Sequence, residues 1–185
     1  MNFKYLIFAC LLIFTNSGLG AQKYFTKSGE ITFTSEAPLE KIEAFNNSVT
    51  SVLDLESGRM EFAVLIKSFH FEKALMEEHF NENYMESGKH PKSVFKGSIK
   101  NLADVHFTEN GKYPVKVEGD LMIHGVTTPV SVDGMIEVDS GQISATSGFT
   151  VLVADYDIKI PKVVRDNIAK EVSINVSLAY QPLEQ

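Results

Sequence analysis

Between residues 112 and 124 apolar and polar positions alternate strictly. Tyr113, Val115, Val117, Gly119, Leu121 and Ile123 fall on one face, and Lys112, Lys116, Glu118, Asp120 and His124 on the other. A period of two over this length predicts a strand with one face in a core and one in water. The pattern recurs at Val130, Val132, Gly134, Ile136 and Val138, then at Ile143, Ala145, Ser147, Phe149, Val151 and Val153. It returns near the end at Val172, Ile174, Val176, Leu178 and Tyr180. Gly125 and Pro129 bracket the first turn of this series, and Asp139-Ser140-Gly141 supplies the next. The first half is less regular. Ile31 and Phe33 mark an early strand, residues 43–54 read as extended, and Glu56-Ser57-Gly58 turns the chain into Met60, Phe62, Val64 and Ile66. Phe95, Gly97 and Ile99 mark one more, which makes about eight strands.

Two segments interrupt the alternation. Residues 72–85 are rich in helix formers, with Leu75, Met76, His79 and Phe80 at helical spacing on one face. Residues 155–170 read as a loop around Pro161. No repeat or linker divides the chain, so the expected architecture is one all-β domain: an eight-stranded antiparallel barrel with a short helix inserted between strands. A barrel of eight strands stands at the size where side chains fill the interior or one small ligand does. Small residues on the apolar faces (Gly97, Gly119, Gly134, Ala145, Ser147) allow tight coiling, or leave room for a ligand, or both. The expected lining of such a cavity is Phe62, Val64, Ile66, Phe95, Val117, Leu121, Val132, Ile136, Phe149 and Val151, with Leu75, Met76 and Phe80 from the helix. Each methylene buried there is worth about 0.8 kcal/mol, which suits a lipid tail.

The first twenty residues stand apart. Lys4 precedes an apolar run from Tyr5 to Phe14, and Asn16-Ser17-Gly18 breaks it. Gly18-Leu19-Gly20 has the small-x-small form of a cleavage site, with Ala21 as the alternative end. This is the layout of a secretory signal peptide, and the run is too short to span a bilayer. Residues 1–20 are therefore expected to be removed on export, leaving the domain at 21–185. The formal net charge of −7 becomes more negative once Lys4 is lost, which disfavours nucleic acid as a partner. Cys10 is the only cysteine, so the exported part has no disulfide and no thiolate metal ligand.

Two blocks of sequence point further. The first runs Glu78-His79-Phe80-Asn81-Glu82-Asn83-Tyr84-Met85-Glu86-Ser87, then Lys89-His90-Pro91-Lys92-Ser93-Val94-Phe95-Lys96-Gly97. The second follows Tyr113-Pro114-Val115 and reads Gly119-Asp120-Leu121-Met122-Ile123-His124-Gly125-Val126-Thr127-Thr128-Pro129-Val130. In this order and spacing they resemble the YceI-like family of periplasmic lipid-binding proteins. The resemblance implies a lipocalin-like barrel whose cavity takes a polyisoprenoid, an isoprenoid quinone or a related amphiphilic lipid, without catalysis. It also implies a periplasmic location. The chain departs from the family in lacking tryptophan and in placing Asp157 where glycine is usual.

The remaining chemistry is sparse. His70, His79, His90, His106 and His124 show no close metal-ligand pairing, so no metal and no cofactor is expected. His124 is expected at the cavity rim. Lys89, Lys92, Lys96 and Lys100 form a positive cluster: either a solvated strand edge or a contact for anionic head groups, with Lys92 and Lys96 at the rim. Asp155 and Asp157 fit turn chemistry better than acid–base work. Peripheral membrane contact and a homodimer stay open. Alternation alone does not say which face points inward, so a small outer-membrane barrel is one alternative. An enzyme acting on a lipid is another.

Overall fold

The computed structural model describes residues 23–183, so the expected signal segment, residues 1–20, lies outside the described residues. The strands are β1 (Lys23–Glu36), β2 (Lys41–Asp54), β3 (Arg59–Leu65), β4 (His70–Phe71), β5 (Lys92–Ile99), β6 (Gly111–Ile123), β7 (Val126–Asp139), β8 (Gln142–Leu152) and β9 (Glu171–Pro182). One short helix, α1 (Ala74–His79), follows β4. All pairings are antiparallel, and β1 pairs with both β2 and β9, so eight strands close into a ring. Two-residue β4 is a spur paired to β2. Closure removes the exposed edges that an open sheet would carry.

The apolar faces point inward. Val49, Leu53, Ile136, Ile143 and Leu178 are almost completely buried, while the outer wall carries cross-strand pairs such as Lys96–Glu61, Lys100–Glu118 and Lys112–Glu137. A barrel embedded in lipid has the opposite arrangement.

Tight turns set the register. His124-Gly125 (φ 52° and 77°) and Ser140-Gly141 (φ 51° and 82°) both have two consecutive positive φ values, the form that matches strand twist in two-residue hairpins. Gly97 and Gly119 face each other across β5 and β6, and a Cβ on either would strike the backbone of the opposite strand. These glycines therefore serve close approach, whereas Gly134, Ala145 and Ser147 border open volume.

The two ends of the barrel differ. The base holds the turn at 55–58, the loop at 100–110 and the Ser140-Gly141 turn, and Val105 from the middle loop is buried there. The mouth holds the β1–β2 turn, the long crossing from β3 to β5, the His124-Gly125 turn and the β8–β9 loop. Two ladders close only the base half. β2 pairs with β3 from Thr50↔Ala63 to Leu53↔Met60, and β7 pairs with β8 from Gly134↔Ser147 to Asp139↔Gln142. Toward the mouth these strands part. Where β3 has left β2, buried Asn46 takes over and donates from Nδ2 to the Leu65 carbonyl at 3.1 Å.

Candidate lipid-binding cavity

The parted strands open a cavity of about 500 Å³ that starts at the mouth and reaches down into the barrel. Its wall is almost entirely carbon. β3 contributes Met60, Phe62 and Val64; β5 contributes Phe95; β6 contributes Val115, Val117 and Leu121; β7 contributes Val130, Val132 and Ile136. Phe149 and Val151 of β8 and Val172, Ile174, Val176 and Leu178 of β9 complete the barrel side. Alternation places them all inward, because successive side chains on a strand point to opposite faces.

Four aromatic rings close the wall below the helix. Phe33 of β1 lies 5.4 Å from Phe69 and 5.4 Å from Phe80, and Phe71 of β4 lies 5.0 Å from Phe80 (centroid distances). These spacings suit tilted and offset aromatic packing. The helix is short, as its stripe predicts. α1 ends at His79 and continues as wider π-type turns over Phe80–Tyr84.

Every strand and helix residue expected in the lining is there except Leu75, which is 61% exposed. The helical face that meets the cavity is Met76, Phe80 and Tyr84, four residues apart. Leu75 sits about 100° around the helix from Met76, which turns it outward. The rim expectations fare differently. Lys92 is exposed at the mouth end of β5. Lys96 is further down on the outer wall, 4.0 Å from Glu61, and so is not a rim residue. Lys89 pairs with Glu86 and Lys100 with Glu118, so the lysine cluster is divided among separate ion pairs.

The main contribution that the pattern missed is the β8–β9 loop. Ile158, Ile160, Val164 and Ile168 roof the cavity, and Val163 between them is 90% exposed. The signal was present as apolar residues recurring through a polar loop, at a period that matches neither helix nor strand. A charged and polar cluster gathers at the mouth. Glu40 lines the cavity and is held by Lys73 at 3.2 Å and by Asn167, whose Nδ2 donates to Oε2 at 3.4 Å. Ser35 Oγ accepts from the Ala169 amide at 2.9 Å. These contacts tie the β1–β2 turn, the helix start and the loop together.

His124 does not line the cavity. Its ring is nearly buried beside the mouth, with Nδ1 3.1 Å from the Tyr156 carbonyl and Nε2 3.3 Å from Glu86 Oε2. His90 packs against it edge-on at 4.6 Å. The ammonium of Lys89, bonded to Glu86, holds that carboxyl below its usual range, with His124 adding to the effect. The fold brings Glu86, His90 and His124 together, a convergence that spacing along the chain did not show.

Comparison with known proteins agrees with this geometry. Residues 21–180 match the YceI-like domain. The chain belongs to the YceI-like family. Similar folds include a polyisoprenoid-binding domain from Saccharophagus degradans, described as implicated in plant cell wall breakdown (13% identity, 88% of this chain and 99% of that one, TM-score 0.77). Another is Burkholderia cenocepacia BcnA (14% identity, 83% and 96%, TM-score 0.67). A third is the YceI protein of Campylobacter jejuni (17% identity, 77% and 85%, TM-score 0.56). At these identities the likeness speaks for the fold. No curated protein matches the sequence significantly. The closed barrel with its apolar hollow therefore has the YceI-like fold.

Proposed function

We propose that this YceI-like protein binds one long isoprenoid lipid in its cavity and carries it, without catalysis, in the periplasm. The apolar cavity is the observation that carries this reading. Its volume falls in the range of small-molecule pockets (about 300–1,000 Å³), and its wall offers a lipid tail contact along its length. The polyisoprenoid-binding description of the Saccharophagus domain supports the ligand class. The layout of residues 1–20 supports export.

The polar end of the lipid belongs at the mouth. Glu40 is the carboxylate in the lining, and a phosphate beside it would meet like charge. A hydroxyl or carbonyl head group suits Glu40 and Asn167 better. The same end fits a bilayer surface. Leu39, Leu75 and Val163 project there, and in the roof loop Lys162, Arg165 and Lys170 offer cations to anionic lipid beside the Lys159–Asp157 pair, with Asp155 and Asp166 opposing. Lipid would enter and leave with the loop resting on the membrane.

Native mass spectrometry of the exported, detergent-free protein, with solvent extraction of its ligand, tests the proposal. One isoprenoid alcohol or quinone per chain is the expected result. A polyprenyl phosphate would overturn the head-group assignment alone. A protein that stays empty when offered isoprenoid and acyl lipids would overturn the carrier function.

A further inference from the structure

We propose that Glu86, His90 and His124 bind a divalent transition-metal ion of the zinc class, which clasps the mouth of the barrel. The three candidate ligand atoms lie within 4.8 Å of one another, and all three residues are half-buried. Two imidazoles and a carboxylate, without thiolate, form a donor set suited to zinc and its neighbours.

The ring of His124 is already oriented for this task. With Nδ1–H donating to the Tyr156 carbonyl at 3.1 Å, Nε2 is the ring atom that would offer its lone pair to an ion. A second hydrogen bond of this kind usually fixes the tautomer of a metal-bound histidine. That lone pair faces Glu86 Oε2 at 3.3 Å. A charge-assisted hydrogen bond would close to about 2.7–2.9 Å. Zinc bonds of about 2.0–2.1 Å at a tetrahedral angle place neighbouring ligand atoms about 3.3–3.4 Å apart. The Glu86–His124 spacing is within reach of both, and the His90 ligand atom stands within 4.8 Å of this pair.

His90 reaches the site by two local features. Its amide donates to the Glu86 carbonyl at 2.9 Å, a turn that brings the two side chains to one side. Its ring lies over Gly125, where an added Cβ would stand 2.7 Å from Cε1. Lys89 occupies Glu86 Oε1, so Oε2 is left for the ion. A bound ion would join the segment after the helix to the β6–β7 turn and, through Tyr156, to the β8–β9 segment. All three border the cavity entrance.

The test uses untagged, chelator-treated protein titrated with zinc by calorimetry, and with cobalt followed by its visible absorption. One equivalent per chain, tetrahedral cobalt bands and a raised melting temperature are expected. His90→Gln, His124→Gln and Glu86→Gln should each weaken zinc by about tenfold or more. Should His124→Gln fail to fold, His90→Gln decides, because the His90 ring supports only the turn beside it. Lys89→Ala should bind zinc at least as tightly as wild type. Absence of zinc binding by the wild-type protein, or wild-type binding by His90→Gln, would overturn the proposal.

Discussion

At the base of the barrel Leu53, Val138 and Ile143 are buried to within a few per cent, and beside them Ser51 Oγ and the Tyr180 hydroxyl share a hydrogen bond of 2.8 Å. At the mouth Val130, Val151 and Val172 stand on the same alternating faces and border empty volume. Residue type does not separate the two ends. The connections do. The turns at 55–58 and 140–141 hold their strands in ladders at the base, whereas at the mouth, where the long crossings at 66–91 and 153–170 lie, β2 parts from β3 and β7 from β8. A packed base supplies the stability that allows the other half to stay hollow. Natural interiors are otherwise close-packed, so an unfilled volume needs such support.

Truncations at the two ends probe this difference most strongly. Leu53→Ala should cost about 2–5 kcal/mol, the usual range for emptying a packed core site. Val151→Ala should cost about 1 kcal/mol or less, because the lost methyl groups already border open space. Urea unfolding measures both, and equal losses would abolish the contrast between base and mouth. Filling the hollow is the complementary change. Val132→Trp should leave the fold intact and weaken lipid binding at least tenfold, about 1.4 kcal/mol, in a displacement titration. Undiminished binding would place the lipid elsewhere.

The Ser51–Tyr180 pair tests the base through pH. Burial pushes the Tyr180 phenol up to about 12 from its ordinary 10.0, with the Ser51 hydrogen bond opposing. The neutral phenol is thus the form the fold favours. Its contribution is complete below pH 10 and is lost as pH rises toward 12, by about 3 kcal/mol in all. Tyr180→Phe should cost about 1 kcal/mol at pH 7, where Ser51 loses its partner. Above pH 10 the deficit should shrink and then reverse, since phenylalanine has no proton to lose. A constant difference across alkaline unfolding curves would remove the buried phenol from the account. The smallest effect on stability belongs to the roof loop. Val163→Asp should change unfolding by no more than about 0.5 kcal/mol. It should still reduce sedimentation with anionic vesicles, and unchanged sedimentation would detach the mouth from the membrane.

Much of this molecule can be read along the chain. Alternation located the long strands, because a strand in a closed barrel has one wet and one dry face throughout. It also chose the inward residues from Phe62 to Val151. The helix was visible, but its orientation was misjudged by one residue at Leu75, since a stripe of four apolar positions does not say which edge faces inward.

Three matters depended on tertiary structure. The apolar residues of the 158–168 loop became a roof only because β8 and β9 deliver that loop over the opening, and irregular segments carry no period to read. Lys96 left the rim because β5 runs it down the outer wall to Glu61. His90 and His124, separated by the whole of β5 and β6, met Glu86 only when the β6–β7 turn folded against the segment after the helix. The sequence by itself determined an alternating barrel of YceI-like pattern, because burial against water acts on each strand locally. Where that barrel is hollow, and which polar groups gather at its mouth, is decided by non-local strand pairing, which no local pattern encodes.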